Sequence, residues 1–317
     1  MESAEEQLYV RVAWLYHMED LTQADIAARL GLTRLRVNRI LAECRALGLV
    51  RVSITSRLES CVALERRLVA ELGLADAVIV PTPSDQELLP QLIGMAAGDW
   101  LSAHLAREEV RILGVGWGAT LREAIRHVAN ADLPKLWVTS MMGGLTQGIE
   151  LNSFETAGEI ARRLNAQCAY LAAPIYAGSA ASRDTLVAQD VFAEAFARIR
   201  NVDTALLSLG DLSRRSLLIR HGLPKDVTPA ELKAAGAVGD VLGQFLDAQG
   251  RLVRHPINER VIGLPVAELA RVRTVVVAAG GANKVPIIAA ALRGRIAKVL
   301  VSDEEAAKAA LALIARG

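Results

Sequence analysis

The chain has 317 residues, which is long enough for two domains or for a small module attached to a large one. Its 52% hydrophobic and 22% charged residues are typical of a globular protein and exclude an intrinsically disordered one. No apolar run approaches the roughly 20 residues that a membrane span needs. The acidic start lacks the pattern of a signal peptide, so we expect a cytoplasmic protein that does not contact a membrane.

The cysteines and histidines lack the spacing of a metal centre. The three cysteines are far apart and odd in number, which fits reduced, scattered thiols better than disulfides or a zinc site. The five histidines also show no metal-ligand spacing. We expect neither a metal ion nor a cofactor.

Three amphipathic helices are predicted at the start of the chain, where apolar residues recur at helical spacing. Thr22 and Asp25 have the spacing of a capping box. Gly31 breaks the second helix, Thr33 caps the third, and residues 49–54 then alternate like a strand. This order predicts a winged helix-turn-helix domain of residues 1–55. The helices are expected over Glu5–His17, Thr22–Leu30 and Thr33–Leu47.

Positive charge is concentrated on the third helix. The net charge is only +1, but the stretch from Thr33 to Arg51 holds five arginines and one acidic residue. Such a cluster is typical of a surface that binds nucleic acid. The alternative is a solvated helix with surface salt bridges, but two capped helices around a glycine turn favour DNA.

The outer face of this helix offers side chains that can recognise bases. Arginine can pair with guanine and asparagine with adenine, each good pair contributing about 1–3 kcal/mol of discrimination. We expect Leu35, Val37 and Ile40 to face more inward. The expected DNA contacts are Thr33, Arg34, Arg36, Asn38 and Arg39, with Thr22 and Gln23 donating to phosphate.

Residues 56–317 alternate between β-branched runs and helices, after a polar junction from Thr55 to Ser60. This alternation predicts an α/β domain with a doubly wound, mostly parallel sheet and helices on both faces. Strands are expected over Ala77–Val80, Val110–Val115, Leu136–Ser140, Thr204–Leu209, Thr274–Ala278 and Val299–Ser302. Helices are expected over Cys61–Leu72, Leu88–Leu105, Thr120–Val128, Phe154–Leu164, Val191–Ile199, Val285–Leu292 and Glu304–Ile314.

A glycine turn follows the second predicted strand. That strand runs into Gly116 and Gly118, and Thr120 begins a helix whose free amides can bind an anion such as phosphate. By itself the pattern also marks an ordinary strand-to-helix turn.

A second glycine turn, Gly280-Gly281, precedes Lys284 in the first turn of another helix. The helix macrodipole disfavours a cation at that position, and an anionic ligand would remove the conflict. The alternative is a solvated surface lysine that tolerates a cost of about a few tenths of a kcal/mol.

The chain resembles the SorC family of sugar-responsive regulators along nearly its whole length. The resemblance rests on Leu21–Thr33, Val37–Leu41, Gly48–Val50, Gly114–Leu121, Gly236–Asp240, Phe245, Asp247 and Ala279–Lys284. Several motifs in the right order are more specific than one glycine loop. The resemblance implies a head that binds double-stranded operator DNA. It also implies a larger domain, similar in fold to sugar-phosphate isomerases and deaminases, that binds a sugar or polyol effector.

The resemblance further implies an effector site at the carboxyl ends of the strands. Lys284 looks like the charged partner of a phosphate. Asp240 or Asp247 looks like an acceptor of sugar hydroxyls, but the alternatives are a turn residue and a hairpin residue, respectively. The expected set is Gly116, Trp117, Gly118, Thr120, Gly143, Asp240, Asp247, Gly280, Gly281 and Lys284.

One departure from the family pattern limits the chemical class of effector that we expect. Relatives that sense glycolytic phosphates tend to carry an arginine where Met142 precedes Gly143-Gly144 in this chain. Its absence argues against a bisphosphate and favours a monophosphate or a free polyol. Residues 60–65 and 80–83 are similar to regulators of polyol and erythritol catabolism.

We expect a repressor of a carbohydrate or polyol operon. A homodimer or homotetramer, formed through the larger domains, would set two heads on a pseudo-palindromic operator, and the effector would favour a wrong head spacing. The alternative is an enzyme that uses Asp240, Asp247, His221 and Lys284 as acids and bases, but these residues suggest no tight cluster. The arginines of the third helix disfavour a protein adaptor.

Overall fold

The computed structural model describes residues 4–50, 59–145 and 152–316. The chain divides into two compact units between residues 56 and 57. We refer to residues 4–50 as the head and to residues 59–316 as the large domain. No helix in these described ranges is long and apolar enough to cross a membrane.

The head consists of α1 (Ala4–His17), α2 (Gln23–Leu30) and α3 (Arg34–Ala46). The predicted capping box is confirmed, because Thr22 Oγ1 accepts the Asp25 amide and the Asp25 carboxylate accepts the Thr22 amide. Gly31 ends α2 in the left-handed region, with a φ of 66° that favours glycine. The apolar stripes of the three helices meet in one core that contains Val12, Ile26, Val37, Ile40 and Cys44.

Two details of the head differ from the sequence prediction or lie beyond the described part of the chain. Leu35 was expected to face inward but is 79% exposed, because it lies on the opposite side of α3 from Val37 and Ile40. The predicted wing strand falls mostly on residues 51–54, outside the described residues, and Leu49 and Val50 lie in a bend.

Within the described residues, the large domain contains a seven-stranded sheet. The strands are β1 (Asp76–Val80), β2 (Ile112–Val115), β3 (Trp137–Ser140), β4 (Gln167–Ala169), β5 (Thr204–Leu207), β8 (Thr274–Ala278) and β9 (Val299–Asp303). Their order in the sheet is β1-β9-β8-β5-β2-β3-β4, and every neighbouring pair is parallel, so the predicted parallel sheet is confirmed. Sequence reasoning missed β4, a three-residue edge strand.

Helices cover both faces of this sheet and create two apolar cores. Alternate side chains of one strand point to opposite faces, so Val275 and Val277 enter one core while Val276 enters the other. This two-sided burial explains why β8 begins with four consecutive β-branched residues, Thr274 to Val277. The helices are α4 (Glu59–Leu72), α5 (Leu89–Arg107), α6 (Ala119–His127), α7 (Ser153–Arg163), α8 (Ala180–Val187), α9 (Asp190–Arg200), α10 (Pro229–Ala234), α11 (Val285–Arg293) and α12 (Glu304–Ala315).

A small hairpin outside the sheet was not predicted. It pairs β6 (Gly239–Val241) with β7 (Gln244–Leu246) in an antiparallel manner. Leu242 and Gly243 connect the strands with positive φ values of 51° and 77°, as a tight hairpin turn requires. Asp240 therefore lies in a strand, rather than in a turn after Gly239.

The strand order fixes where a ligand site can form. The chain proceeds from β2 outward to β3 and β4, then returns to β5 and proceeds in the opposite direction to β8 and β9. The gap between β2 and β5 is thus a topological switch point. In open α/β sheets, ligands bind outside the carboxyl ends of the strands at such a point.

Candidate functional site

A cavity of about 200 Å³ lies at the carboxyl ends of β2, β5 and β8. Most of its walls come from the segments that follow these three strands, as the switch point predicts, and the rest come from Pro90, Asp240 and Leu242. Six of the ten effector-site residues expected from the sequence line it: Gly116, Trp117, Gly118, Thr120, Asp240 and Lys284.

The first glycine turn leads from β2 into the amino terminus of α6. The Gly116 amide donates to Leu206 in the neighbouring strand at 2.9 Å, so it extends the sheet. Gly118 has a φ of 126°, and a Cβ atom there would lie 2.9 Å from Ser208 Oγ. Among the described residues, no side chain caps the amides that begin α6. These amides and the positive end of the helix can therefore receive an anion in the cavity.

Lys284 lies immediately before α11, at the end of a short 3-10 turn from Ala282. In the part of the chain that the structure describes, its ammonium group has no carboxylate within 4.0 Å. Burial lowers the pKa of Lys284, and the carboxylates of Asp211 and Asp240 oppose this effect. The cavity thus holds a cation whose charge is only partly compensated.

Asp240 extends from the hairpin into the same cavity and is 4% exposed. Its Oδ2 atom accepts the Gly243 amide at 3.1 Å. Its Oδ1 atom is buried and has no hydrogen-bond partner among the described residues. Burial raises the pKa of this carboxyl to about 7, although the Gly243 amide and Lys284 lower it. An unsatisfied buried acceptor is costly, and a ligand hydroxyl would satisfy it.

The structure adds polar residues that sequence reasoning missed. Asp211 accepts the Asn283 side-chain amide at 2.6 Å and the Ser213 backbone amide at 2.7 Å. Asp211 is buried and, like Asn283, lines the cavity. Its position just after β5, at the switch point, was the available signal. Arg215 also lines the cavity and supplies a second cation from the segment after β5.

Gly280 and Gly281 lie outside the cavity lining and support it indirectly. The Gly281 amide donates to Asp303 Oδ1 at 2.7 Å, and a Cβ atom on Gly280 would collide with the same carboxylate. Asp303 also accepts the Thr82 hydroxyl at 2.7 Å and caps α12. This contact fixes the loop that carries Lys284.

Gly143 and Asp247 lie apart from the cavity lining. Gly143 leaves no room for a side chain against the carbonyls of Ala173 and Pro174, which accounts for a glycine at that position. Asp247 accepts the amides of Gln249 and Arg251 at 2.8 and 3.0 Å, so its carboxylate stabilises a turn after β7.

The acid and base candidates of the enzyme alternative are not gathered in one place. The cavity contains Asp240 and Lys284. His221 lines a separate pocket beside Arg220 and Lys225, and Asp247 lies in its turn.

On the head, the expected DNA-contacting residues of α3 lie away from its buried stripe of Val37 and Ile40. Arg34, Asn38 and Arg39 are exposed, and Arg36 is half-buried. Arg39 pairs with Glu43 on its own helix at 2.9 Å, and Arg36 lies 3.8 Å from Glu5. Exposed pairs of this kind contribute about 0–1 kcal/mol and can exchange for phosphate or base contacts.

The capping residues of the head already form hydrogen bonds within the head. Thr33 Oγ1 accepts the Arg36 amide at 3.2 Å. The Thr22 hydroxyl donates to Asp25 at 2.5 Å, while Gln23 is half-buried at the start of α2. The amides at the start of both helices are thus oriented by their caps.

Comparisons with known proteins agree with this architecture. Residues 56–312 match the Sugar-bind family, a sugar-binding domain, and residues 12–57 match the MarR family. The transcriptional regulator LsrR of Enterobacter sp. (strain 638) is 33% identical over 98% of this chain and 94% of its own length. The erythritol catabolism regulatory protein EryD of Brucella abortus (strain 2308) is 28% identical over 98% of both chains.

A solved structure shares the whole architecture. The full-length sorbitol operon regulator SorC from Klebsiella pneumoniae aligns with a TM-score of 0.73 and 25% identity, covering 98% of this chain and 100% of that one. The family match spans most of the chain, and the relatives are named as regulators. The chain therefore belongs to the SorC family of sugar-binding transcriptional regulators, with a helix-turn-helix head for DNA.

Proposed function

We propose that this protein represses a carbohydrate or polyol catabolic operon and that a small monophosphorylated sugar or polyol releases it from DNA. The observation that carries the proposal is the combination of groups in one cavity. Positive charge that is only partly compensated and a buried carboxyl group with one unpaired oxygen lie beside the same space of about 200 Å³. A molecule with one anionic end and one hydroxylated end would satisfy both.

The anionic end of the effector is expected at the start of α6. The helix amides there, the ammonium of Lys284 and the guanidinium of Arg215 all attract negative charge. Arg215 lies on a different segment from Met142, the position at which the family resemblance led us to look for an arginine.

The hydroxylated end is expected beside Asp240. Its Oδ1 atom can accept a hydroxyl proton, and Asn283 can orient a second one. The cavity is smaller than the roughly 300–1,000 Å³ of pockets for drug-sized ligands, which favours a short carbon chain. The relatives named for erythritol catabolism and for the sorbitol operon also support a polyol class.

On DNA, we expect Arg34, Asn38 and Arg39 to contact base edges in the major groove. Leu35 lies exposed among them and offers an apolar contact for a thymine methyl group. A homodimer or homotetramer would present two such heads to a two-fold operator, and effector binding would change their spacing.

We infer that the cavity is a sensor rather than a catalytic site. The relatives are named as regulators. The separation of His221 and Asp247 from the cavity supports the same conclusion, because acid-base catalysis needs groups within hydrogen-bond reach of the substrate.

A thermal-shift screen of sugars, polyols and their monophosphates tests this proposal. A ligand at about 100 times its dissociation constant stabilises the folded protein by roughly 2.7 kcal/mol. The shift should disappear in Lys284→Ala and persist in Lys233→Ala, which removes an exposed lysine on α10. The proposal fails if no member of this class stabilises the protein, or if Lys284→Ala leaves the shift intact.

A further inference from the structure

A tyrosine of α1 contacts the charged side of α3 from the core of the head. Tyr9 is only 8% exposed, and its ring packs in the apolar core. Its hydroxyl donates a hydrogen bond to Oε2 of Glu43 on α3. The thiol of Cys44, the next residue in the chain, donates to the Tyr9 carbonyl at 3.4 Å. The carboxylate of Glu43 is therefore anchored to the core of the head.

The same carboxylate holds an arginine that we expect to recognise bases. Glu43 Oε1 accepts the Nε–H group of Arg39 at 2.9 Å, while the Tyr9 hydroxyl bonds to the other oxygen. The side chain of Glu43 is 31% exposed, whereas that of Arg39 is 71% exposed. Arg39 thus projects into solvent from a carboxylate that is fixed at its inner side.

This pairing leaves the donors that recognise a base free. A guanidinium has five N–H donors in a rigid plane, and Nε supplies one of them. In the described part of the head, the Arg39 side chain forms a hydrogen bond only through Nε. The terminal amino groups can pair with O6 and N7 of guanine. Arg39 can therefore keep its bond to Glu43 when it contacts a base, so fewer torsions must be ordered on binding.

A comparison within the chain shows what is unusual about this pair. Arg67 and Glu71 on α4 have the same spacing and the same Nε–Oε1 distance of 2.9 Å, and their side chains are 58% and 48% exposed. Among the described residues, no second donor holds the Glu71 carboxylate. Exposed pairs contribute little, because two long side chains must be ordered together. In the head, a buried tyrosine has already ordered one of them.

The hydroxyl of Tyr9 has a second carboxylate nearby, since Glu5 Oε1 lies 3.3 Å away. The hydroxyl has one proton, so the two carboxylates compete for it. The side chain of Glu5 is 67% exposed and therefore better solvated than that of Glu43. The hydrogen bond with Glu43 raises the pKa of Tyr9 to about 12, and the bonds from Tyr9 and Arg39 lower the pKa of Glu43. At neutral pH, the phenol therefore keeps its proton and Glu43 is ionised.

We propose that Tyr9 and Glu43 are positioning residues that set the direction of the Arg39 guanidinium for base recognition. The inference rests on the proposed contact of α3 with DNA and adds two residues that need not touch DNA themselves. A misdirected guanidinium still attracts phosphate but no longer pairs with a base edge. The role should therefore appear in the ratio of operator affinity to non-specific affinity.

Competition binding with two duplexes measures that ratio. One duplex is selected by the wild type from a random-sequence pool, and the other is a scrambled duplex of the same length and composition. Tyr9→Phe keeps the ring in the core, and Glu43→Gln leaves one acceptor oxygen instead of two. Each should lower the ratio by about three- to tenfold. The controls Tyr16→Phe, at an exposed tyrosine of α1, and Glu71→Gln should keep the wild-type ratio.

A double-mutant cycle shows whether the effect passes through Arg39. In an Arg39→Ala background, neither Tyr9→Phe nor Glu43→Gln should change the ratio further. A merely structural role would instead weaken binding to both duplexes. Glu43→Gln alters a partly exposed side chain, so it serves as the test if Tyr9→Phe does not fold. An unchanged ratio in the single variants, or an equal loss in the Arg39→Ala background, would overturn the proposal.

The same experiment separates this inference from the proposed DNA contact. If Arg39→Ala keeps the wild-type ratio, Arg39 does not recognise a base, and the positioning role is wrong as well. If Arg39→Ala loses discrimination but Tyr9→Phe and Glu43→Gln do not, only the positioning role is wrong.

Discussion

In the head, the groups that we propose to bind DNA project into solvent, and the starts of α2 and α3 have their own side-chain caps. Thr22 and Thr33 bond the first amides of α2 and α3, and the arginines of α3 form only surface pairs. In the large domain, α6 begins without a side-chain cap in the described residues, and Asp240 Oδ1 is buried without a partner. The helix caps of the head are thus satisfied within the head, whereas the large domain keeps unpaired polar groups at the cavity where we propose that the effector binds.

This difference predicts different consequences of mutation. Substitutions on the head's surface should change binding with little effect on stability. Substitutions in the cavity should change ligand affinity, pH dependence and stability together, because the same buried groups determine all three.

The largest effect is expected on DNA binding. The double variant Arg36→Ala/Arg39→Ala should reduce operator affinity at least about thirtyfold, because each of the two lost contacts costs about 1–3 kcal/mol. Its melting temperature should change little, since exposed ion pairs contribute about 0–1 kcal/mol. A gel-shift titration compares it with Arg66→Ala/Arg67→Ala on α4. If the α3 variant binds the operator with wild-type affinity, α3 does not contact the DNA.

The next effect concerns the two aspartates that sequence reasoning could not distinguish. Asp240→Asn should lower effector affinity about tenfold, because a hydrogen bond to a charged acceptor is stronger than one to a neutral amide. Asp247→Asn should leave affinity unchanged, because that carboxylate is engaged in a turn outside the cavity. Isothermal titration calorimetry with the ligand found in the screen measures the effector affinity of both variants. A larger loss of affinity in Asp247→Asn than in Asp240→Asn would contradict our assignment.

Asp240 should also give the ligand-free protein a particular pH dependence. Its pKa of about 7 in the folded state exceeds the roughly 3.9 of an unfolded aspartate, so the folded state binds more protons between these values. The contribution of Asp240 is therefore stabilising at low pH and is lost as pH rises toward 7. The melting temperature of Asp240→Asn, measured against pH, should lack this decline. Parallel curves for the two proteins would contradict the assignment.

A smaller effect is expected at the glycine turn. Gly118→Ala should destabilise the fold by about 1–3 kcal/mol, because a φ of 126° is strained for alanine and Ser208 crowds the added methyl group. Gly178→Ala is the matched control, since no atom lies within 4 Å of its added Cβ. Equal melting temperatures for the two variants would show that the turn tolerates a side chain.

The smallest effect is expected at a helix cap of the head. Thr33→Ala should lower the free energy of unfolding by about 1 kcal/mol, because it removes the acceptor of the Arg36 amide. Thr33→Ser should keep that hydroxyl acceptor and the wild-type stability. Thermal unfolding followed by circular dichroism can compare the two variants. If Thr33→Ala is as stable as the wild type, water replaces the cap and the prediction is wrong.

Local signals made the head and most of the sheet predictable from sequence. The capping box at Thr22 and the left-handed Gly31 depend on neighbours in the chain, and the structure contains both. All six predicted strands form, and β8 and β9 show why, because each places apolar side chains in both cores. Leu35 shows the limit of this reasoning, because apolar character alone did not reveal its side of the helix.

Much of the cavity depends on contacts between distant segments. Asp211 meets Asn283 across 72 positions of the chain, and Asp303 holds Gly281 across 22. No local motif identifies Asp211 or Arg215, so sequence reasoning missed them. The hairpin that carries Asp240 has strands of three residues each, too short for a periodic pattern.

The central claim is that a ligand in the cavity controls the affinity of the head for DNA. Fluorescence anisotropy of labelled operator DNA, with and without the stabilising ligand, measures this coupling directly. For the wild type we expect at least a tenfold loss of affinity on adding ligand, equivalent to about 1.4 kcal/mol, and none for Lys284→Ala. An unchanged affinity in the wild type, or an equal loss in Lys284→Ala, would contradict the account.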